Sequence, residues 1–167
     1  MMAAVFAARS GNEVHLYEKN EKLGKKLFIT GKGRCNLTNA AEMDELFSAV
    51  VSNPKFLYSS FYTFTNEQAV AFFEELGVKT KVERGGRVFP VSDHSSDVIR
   101  ALERELCRLG VKINFNAEVK RLLITERKDG AGQTVSGLLT SSGGEKRYDS
   151  VIVATGGVSY PQTGSTG

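Results

Sequence analysis

Between Met1 and Glu18 the chain reads helix, glycine stop, strand, acid, and this succession restricts the fold more than any other stretch. Met1 to Arg9 contains acceptable helix formers and no breaker. Ser10-Gly11-Asn12 ends that run, with Gly11 suited to a left-handed cap. Val14-His15-Leu16-Tyr17 then alternates as a strand and runs into Glu18. A helix, a tight turn and a short strand form the back half of a βαβ unit, which commits the chain to a parallel sheet and an α/β class. His15, mid-strand beside apolar neighbours, reads as a packing or surface residue.

An acid closing the second strand of such a unit is the group that accepts hydrogen bonds from the ribose of a bound dinucleotide. The expected front half, a strand followed by G-x-G-x-x-G, is not found within residues 1–167. The sequence is therefore expected to be a partial domain lacking that strand and its pyrophosphate loop. A surface acid on an ordinary helix–strand pair is the plainer alternative for Glu18.

The next stretch, Lys25 to Asn39, places Gly31, Gly33, Lys25, Lys26, Lys32, Arg34, Cys35 and several hydroxyl and amide side chains close together. Such a mixture suits an anionic or heteroaromatic ligand, because glycine admits close backbone approach and cations neutralise phosphate. Six cations and one acid lie between Lys19 and Arg34, although the chain as a whole carries only +3. A solvated basic face is the bland reading of that run. Nucleic-acid binding is the rival, and the balanced remainder and a pI of about 8.9 argue against it.

Downstream, helices are expected over residues 41–51 and 54–62, with Pro54 at a first turn. Thr65-Asn66-Glu67-Gln68 has capping-box spacing and opens a helix that Gly77 ends. The aromatics from Phe56 to Phe73 have helical spacing and are expected in the core. Residues 78–83 and 87–89 form a hairpin about Arg84-Gly85-Gly86, and Ser95 or Ser96 caps a helix with Val98, Ile99, Leu102, Leu106 and Leu109 on one face. Cys107 is expected to be buried with that face, and His94 to sit in a polar surface loop. Residues 111–115 and 119–124 alternate as strands, and 134–140 and 146–148 flank glycine- and serine-rich turns, suggesting a small antiparallel meander. Val151-Ile152-Val153-Ala154 reads as a buried parallel strand leading into Thr155-Gly156-Gly157.

At 167 residues, 41% hydrophobic, the chain suits one globular domain or a large part of one. No apolar run reaches the roughly 18 residues of a membrane span, and the start lacks the basic region of a secretory leader. Two distant cysteines, Cys35 and Cys107, point to neither a disulfide scaffold nor a metal site. The expected setting is the cytoplasm, with no membrane, nucleic-acid or metal partner.

Glu18-Lys19-Asn20, Gly24 to Asn39 and Ala154 to Gly167, in that order, resemble the FAD-binding domain of two-dinucleotide-fold flavoproteins. More narrowly, they are similar to the bacterial BaiN-like family of NAD(P)/FAD-dependent oxidoreductases, also called the aminoacetone oxidase family. The resemblance covers essentially the whole chain. It implies a partial Rossmann-like FAD-binding domain over 1–167, without the substrate-covering domain and the final FAD-contacting section. Bound FAD would pass hydride between NAD(P)H and a small organic substrate, for some members a carbon–carbon double bond in cyclic or steroid-like compounds. Alternatives are a nucleotide-binding module without redox activity, or an inactive fragment.

By resemblance, Glu18 would hold the ribose hydroxyls, with Lys19 beside the adenine. Lys25 or Lys26 and Arg34 would face the pyrophosphate or the flavin edge. Thr30, Gly31, Gly33, Cys35, Asn36 and Thr38 would line the flavin and ribityl chain. Val119 would touch adenine through its main chain, and Thr155 and Gly156 would let the last strand pass close. Cys35 is the one catalytic candidate, since Lys32 and Arg34 nearby would favour its thiolate; a structural or flavin-contacting cysteine is the alternative.

Overall fold

The computed structural model describes residues 1–127 and 129–163. In chain order the elements are α1 (Met2–Arg9), β1 (His15–Tyr17), α2 (Lys25–Ile29) continuing into a 3-10 turn (Thr30–Gly33), β2 (Thr38–Asn39), α3 (Met43–Ser48), a 3-10 turn (Pro54–Leu57) and α4 (Tyr58–Thr63). There follow α5 (Asn66–Glu75), β3 (Thr80–Glu83), β4 (Arg87–Pro90), α6 (Ser95–Arg108), β5 (Lys112–Asn114), β6 (Val119–Glu126), β7 (Gln133–Thr140) and β8 (Glu145–Arg147). The chain divides into two compact units: Met1–Lys25 with Leu106–Gly167, and Lys26–Glu105.

In the first unit β1 and β5 pair in parallel, His15 opposite Lys112 and Tyr17 opposite Asn114. Glu18 extends the ladder by donating its N–H to the Asn114 carbonyl at 3.0 Å. The helix, turn and strand read from residues 1–18 are therefore present, as is the parallel pairing they imply. The expected meander is present too, with β6, β7 and β8 in antiparallel order. Gly137 of β7 lies between Leu123 and Arg147, and a methyl group there would drive into the Lys146 carbonyl. Val5, Leu106, Leu123 and Leu138 supply much of this unit's buried apolar surface.

The second unit holds an antiparallel sheet in the order β2–β4–β3, with Phe72, Phe73, Val88, Phe89, Val98 and Leu102 buried. The capping box at the start of α5 forms as its spacing requires: Thr65 accepts from the Gln68 N–H, and Gln68 returns a bond to the Thr65 N–H. Helix α6 buries Val98, Ile99, Leu102 and Leu106 as expected.

Three expectations fail. Residues 151–154 form no strand, and Ile152 and Val153 are 64% exposed. A continuous apolar run becomes a parallel strand only where a neighbour completes its ladder; among the described residues β1 and β5 pair with each other and the run pairs with neither. Cys107 is exposed, because one residue beyond Leu106 turns it about 100° around the helix and away from the apolar face. Phe56, Tyr58 and Tyr62 are also exposed. Phe47 stacks on Tyr58 with ring centroids 4.4 Å apart and contacts Phe61 and Tyr62. Helices α3 and α4 have only six residues each, too few to bury a continuous aromatic face, so these rings pack on one another.

Candidate functional site

The sequence-derived candidates fall into both units, and each group has its own geometry. In the first unit Glu18 stands immediately after β1, at the carboxyl end of a parallel strand, where α/β sheets bind ligands. Its Oε1 accepts from the backbone N–H of Asn20 at 2.9 Å and from Asn20 Nδ2 at 2.6 Å. No donor among the described residues reaches Oε2. The carboxylate is thus oriented by one oxygen and available through the other.

Lys25 belongs to the same local turn. Its ammonium lies 2.8 Å from the Glu21 carboxylate and donates to Asn20 Oδ1 at 3.2 Å. Glu21 is held below the usual carboxylate range, chiefly by the Lys25 hydrogen bond. Lys19 is exposed. Val119 opens β6 opposite Thr140, with an irregularity in the pairing before Arg121. Thr155 and Gly156 lie in the irregular segment after residue 150, with Gly156 at φ 84°. Lys26 begins the second unit.

The remaining candidates form one tight turn. A short helix, α2, stands where the glycine-rich segment begins; the clustered glycines downstream hid it. Past Ile29 the backbone enters the left-handed region at Gly31 (φ 56°), Lys32 (φ 57°), Gly33 (φ 84°) and Cys35 (φ 62°). The turn closes on itself, with the Cys35 N–H donating to the Thr30 carbonyl and the Arg34 N–H to the Gly31 carbonyl. Thr30 Oγ1 donates back to the Leu27 carbonyl. Asn36, with Nδ2 turned inward, donates to the Thr38 and Val88 carbonyls, tying the turn to β2 and β4. The two glycines differ in purpose. A Cβ on Gly31 would sit 2.8 Å from the Asn36 nitrogen and 3.1 Å from the Phe89 ring, whereas one on Gly33 would meet nothing within 4 Å.

Two expected roles need revision. Arg34 does not present its charge outward: its guanidinium is bound to Glu83 and Asp93 and lies over the Phe89 ring, 4.1 Å from the centroid. Cys35 lacks the setting of a thiolate. It is 1% exposed, and burial pushes its thiol pKa up, with a hydrogen bond involving Thr30 acting in the opposite direction. Arg34, expected to activate it, is neutralised by the two acids. Sequence reasoning missed Lys81, Glu83, Phe89 and Asp93, and no local spacing could have shown them, since Arg34 meets Glu83 and Asp93 across 49 and 59 residues. A cavity of about 460 Å³ in the second unit, lined by Val78, Pro90, Val91, Asp97 and Arg104 among others, contains none of the candidates.

Comparison with known proteins places this geometry in a lineage. The family described as the HI0933-like protein Rossmann domain matches residues 1–167. The chain is 34% identical over 170 residues to the 3-dehydro-bile acid delta(4,6)-reductase of Clostridium scindens, aligning all of this chain with 39% of that protein. It is 26% identical to the ribosomal RNA dihydrouridine synthase of Haemophilus influenzae, over 99% of this chain and 40% of that enzyme. The enzyme of the same name from Escherichia coli is 27% identical, over 99% and 39%. The chain thus spans about two fifths of the length of these curated relatives. Among solved structures, Thermovibrio ammonificans THI4 shares the fold, with a TM-score of 0.54 at 13% identity over 83% of this chain and 42% of that one. On the whole-length family match and the α/β architecture that carries it, the chain belongs to the HI0933-like Rossmann domain family.

Proposed function

We propose that the chain is the FAD-binding part of an oxidoreductase that adds hydrogen across a carbon–carbon double bond. The observation that carries the reading is Glu18, oriented through one carboxylate oxygen by Asn20 and left with an open acceptor at the end of a parallel strand. A ribose diol offers the two hydroxyl donors that such an acceptor suits. Gly33, whose α-carbon faces open space, and the inward-turned turn from Thr30 to Thr38 suit the close approach of a flat ring. Arg34 is removed from the cation set for the pyrophosphate, which leaves Lys25 and Lys26 as its candidates.

Bound FAD would supply the hydride chemistry itself. The protein's part is to orient Glu18 toward the ribose, to present backbone at Gly33 and to keep the wall of the turn rigid. NAD(P)H is the proposed reductant. A delta(4,6)-reductase and a dihydrouridine synthase bear names that both denote saturation of a carbon–carbon double bond, one in a polycyclic acid and one in a nucleobase. A conjugated cyclic alkene is therefore the substrate class proposed here. The two RNA-directed names also remove the ground for excluding nucleic acid, so ribosomal RNA stands as a second substrate reading.

Titrating the purified chain with FAD and following the quenching of flavin fluorescence tests the reading. Saturable quenching that weakens in Glu18→Ala is expected. A wild-type chain that leaves FAD fluorescence unchanged overturns it. Binding of an RNA hairpin whose affinity falls steeply with salt would favour the RNA substrate over the polycyclic one.

A further inference from the structure

The guanidinium of Arg34 gives four of its five N–H groups to protein acceptors. Nε donates to Asp93 Oδ1 at 2.8 Å, Nη1 to Glu83 Oε2 at 3.2 Å, and Nη2 to both Glu83 Oε1 and Asp93 Oδ1 at 2.5 Å. Lys81 Nζ completes the cluster, 2.6 Å from Asp93 Oδ2 and 3.5 Å from Glu83 Oε1. The four charges cancel. The partners come from separate elements: Lys81 and Glu83 from β3, Phe89 from β4, and Asp93 from the loop before α6, itself at φ 58°. Isolated ion pairs at this degree of exposure contribute little, but a forked arginine shared by two carboxylates and stacked on a ring fixes a geometry.

The turn needs such fixing. Lys32 and Cys35 are non-glycine residues in left-handed backbone, an unfavourable conformation that persists only where surrounding contacts over-determine it. We propose that Arg34 is a positioning residue, a clamp that holds the 31–36 turn in its left-handed course against the β3–β4 hairpin, and that it does not bind an anion. The function of the turn as a flavin wall rests on the reading given above; the clamp itself does not.

Cys35 reports on the clamp directly, since it follows Arg34 and is buried, while exposed Cys107 serves as the internal standard. Pulsed alkylation of the native chain, read by mass spectrometry, is expected to modify Cys107 well before Cys35. Arg34→Gln is expected to raise the Cys35 labelling rate roughly tenfold relative to Cys107, as a local opening would. Glu83→Gln combined with Asp93→Asn is expected to do the same and to weaken FAD binding. An anion-binding Arg34 predicts the reverse, because removing its acidic partners would free the fork and tighten FAD. Arg34→Lys, which keeps the charge and loses the fork, is expected to fall between wild type and Arg34→Gln, and it carries the test should the glutamine variant not fold. Cys35 protection that stays at the wild-type level in the folded double variant, or tighter FAD binding in it, overturns the clamp. Deprotected Cys35 in a chain whose wild type takes up no FAD supports the clamp and sinks the flavin reading alone.

Discussion

Glu18 and Arg34 are the two charged residues the sequence marks most clearly, and the structure treats them in opposite ways. Glu18 is held by Asn20, two residues on, and keeps one oxygen free of protein donors. Arg34 is held by acids 49 and 59 residues away, which take four of its five N–H groups. The short tether leaves part of the Glu18 carboxylate without a protein donor, while the long-range tether uses the Arg34 charge to join elements.

The sharpest way to break the contrast is from the braced side. Gly31→Ala places a methyl against the Asn36 nitrogen in left-handed backbone, and a loss of about 3 kcal/mol is expected in denaturant unfolding. From the open side, Glu18→Ala is expected to weaken FAD binding by about tenfold or more, as loss of a charge-assisted acceptor does, with a melting temperature close to wild type. Acid should separate the two further. The Lys81 and Arg34 hydrogen bonds hold Asp93 below its usual range, and the Arg34 bond does so for Glu83. Because the folded values are depressed, their stabilisation is full above the ordinary carboxylate range of about 4 and is lost as pH falls through the folded values. Amide exchange at Cys35, corrected for its intrinsic rate, should accelerate only on acidification. The smallest effect is expected at Gly33→Ala, about 1 kcal/mol from its φ of 84° alone, since the methyl meets nothing.

The local signals in the sequence were readable where their partners were also local. The Thr65–Gln68 capping box, the hairpin at Arg84-Gly85-Gly86 and the apolar face of α6 each involve residues a few positions apart, and each formed. The helix–strand–acid succession at the start implied a parallel sheet, but not that β5 would be the partner of β1, a pairing between remote residues. What could not be read depends on remote contacts: the acids around Arg34, the burial of Cys35 and the ladder that residues 151–154 do not find. The exposed rings at Phe56, Tyr58 and Tyr62 misled for another reason, since helical spacing says which residues share a face but not whether anything covers it.

Gly137 carries a consequence for how the meander assembles. Sliding β7 one place along β8 would bring Ser136 or Leu138 to the spot where the Lys146 carbonyl admits only a hydrogen. Volume at this one position therefore opposes a one-place slip of the strand pair. A β7 left without β8 would expose backbone groups of the kind that pair with other chains. One missing side chain thus gives this sheet a register marker that no hydrogen bond in the ladder supplies.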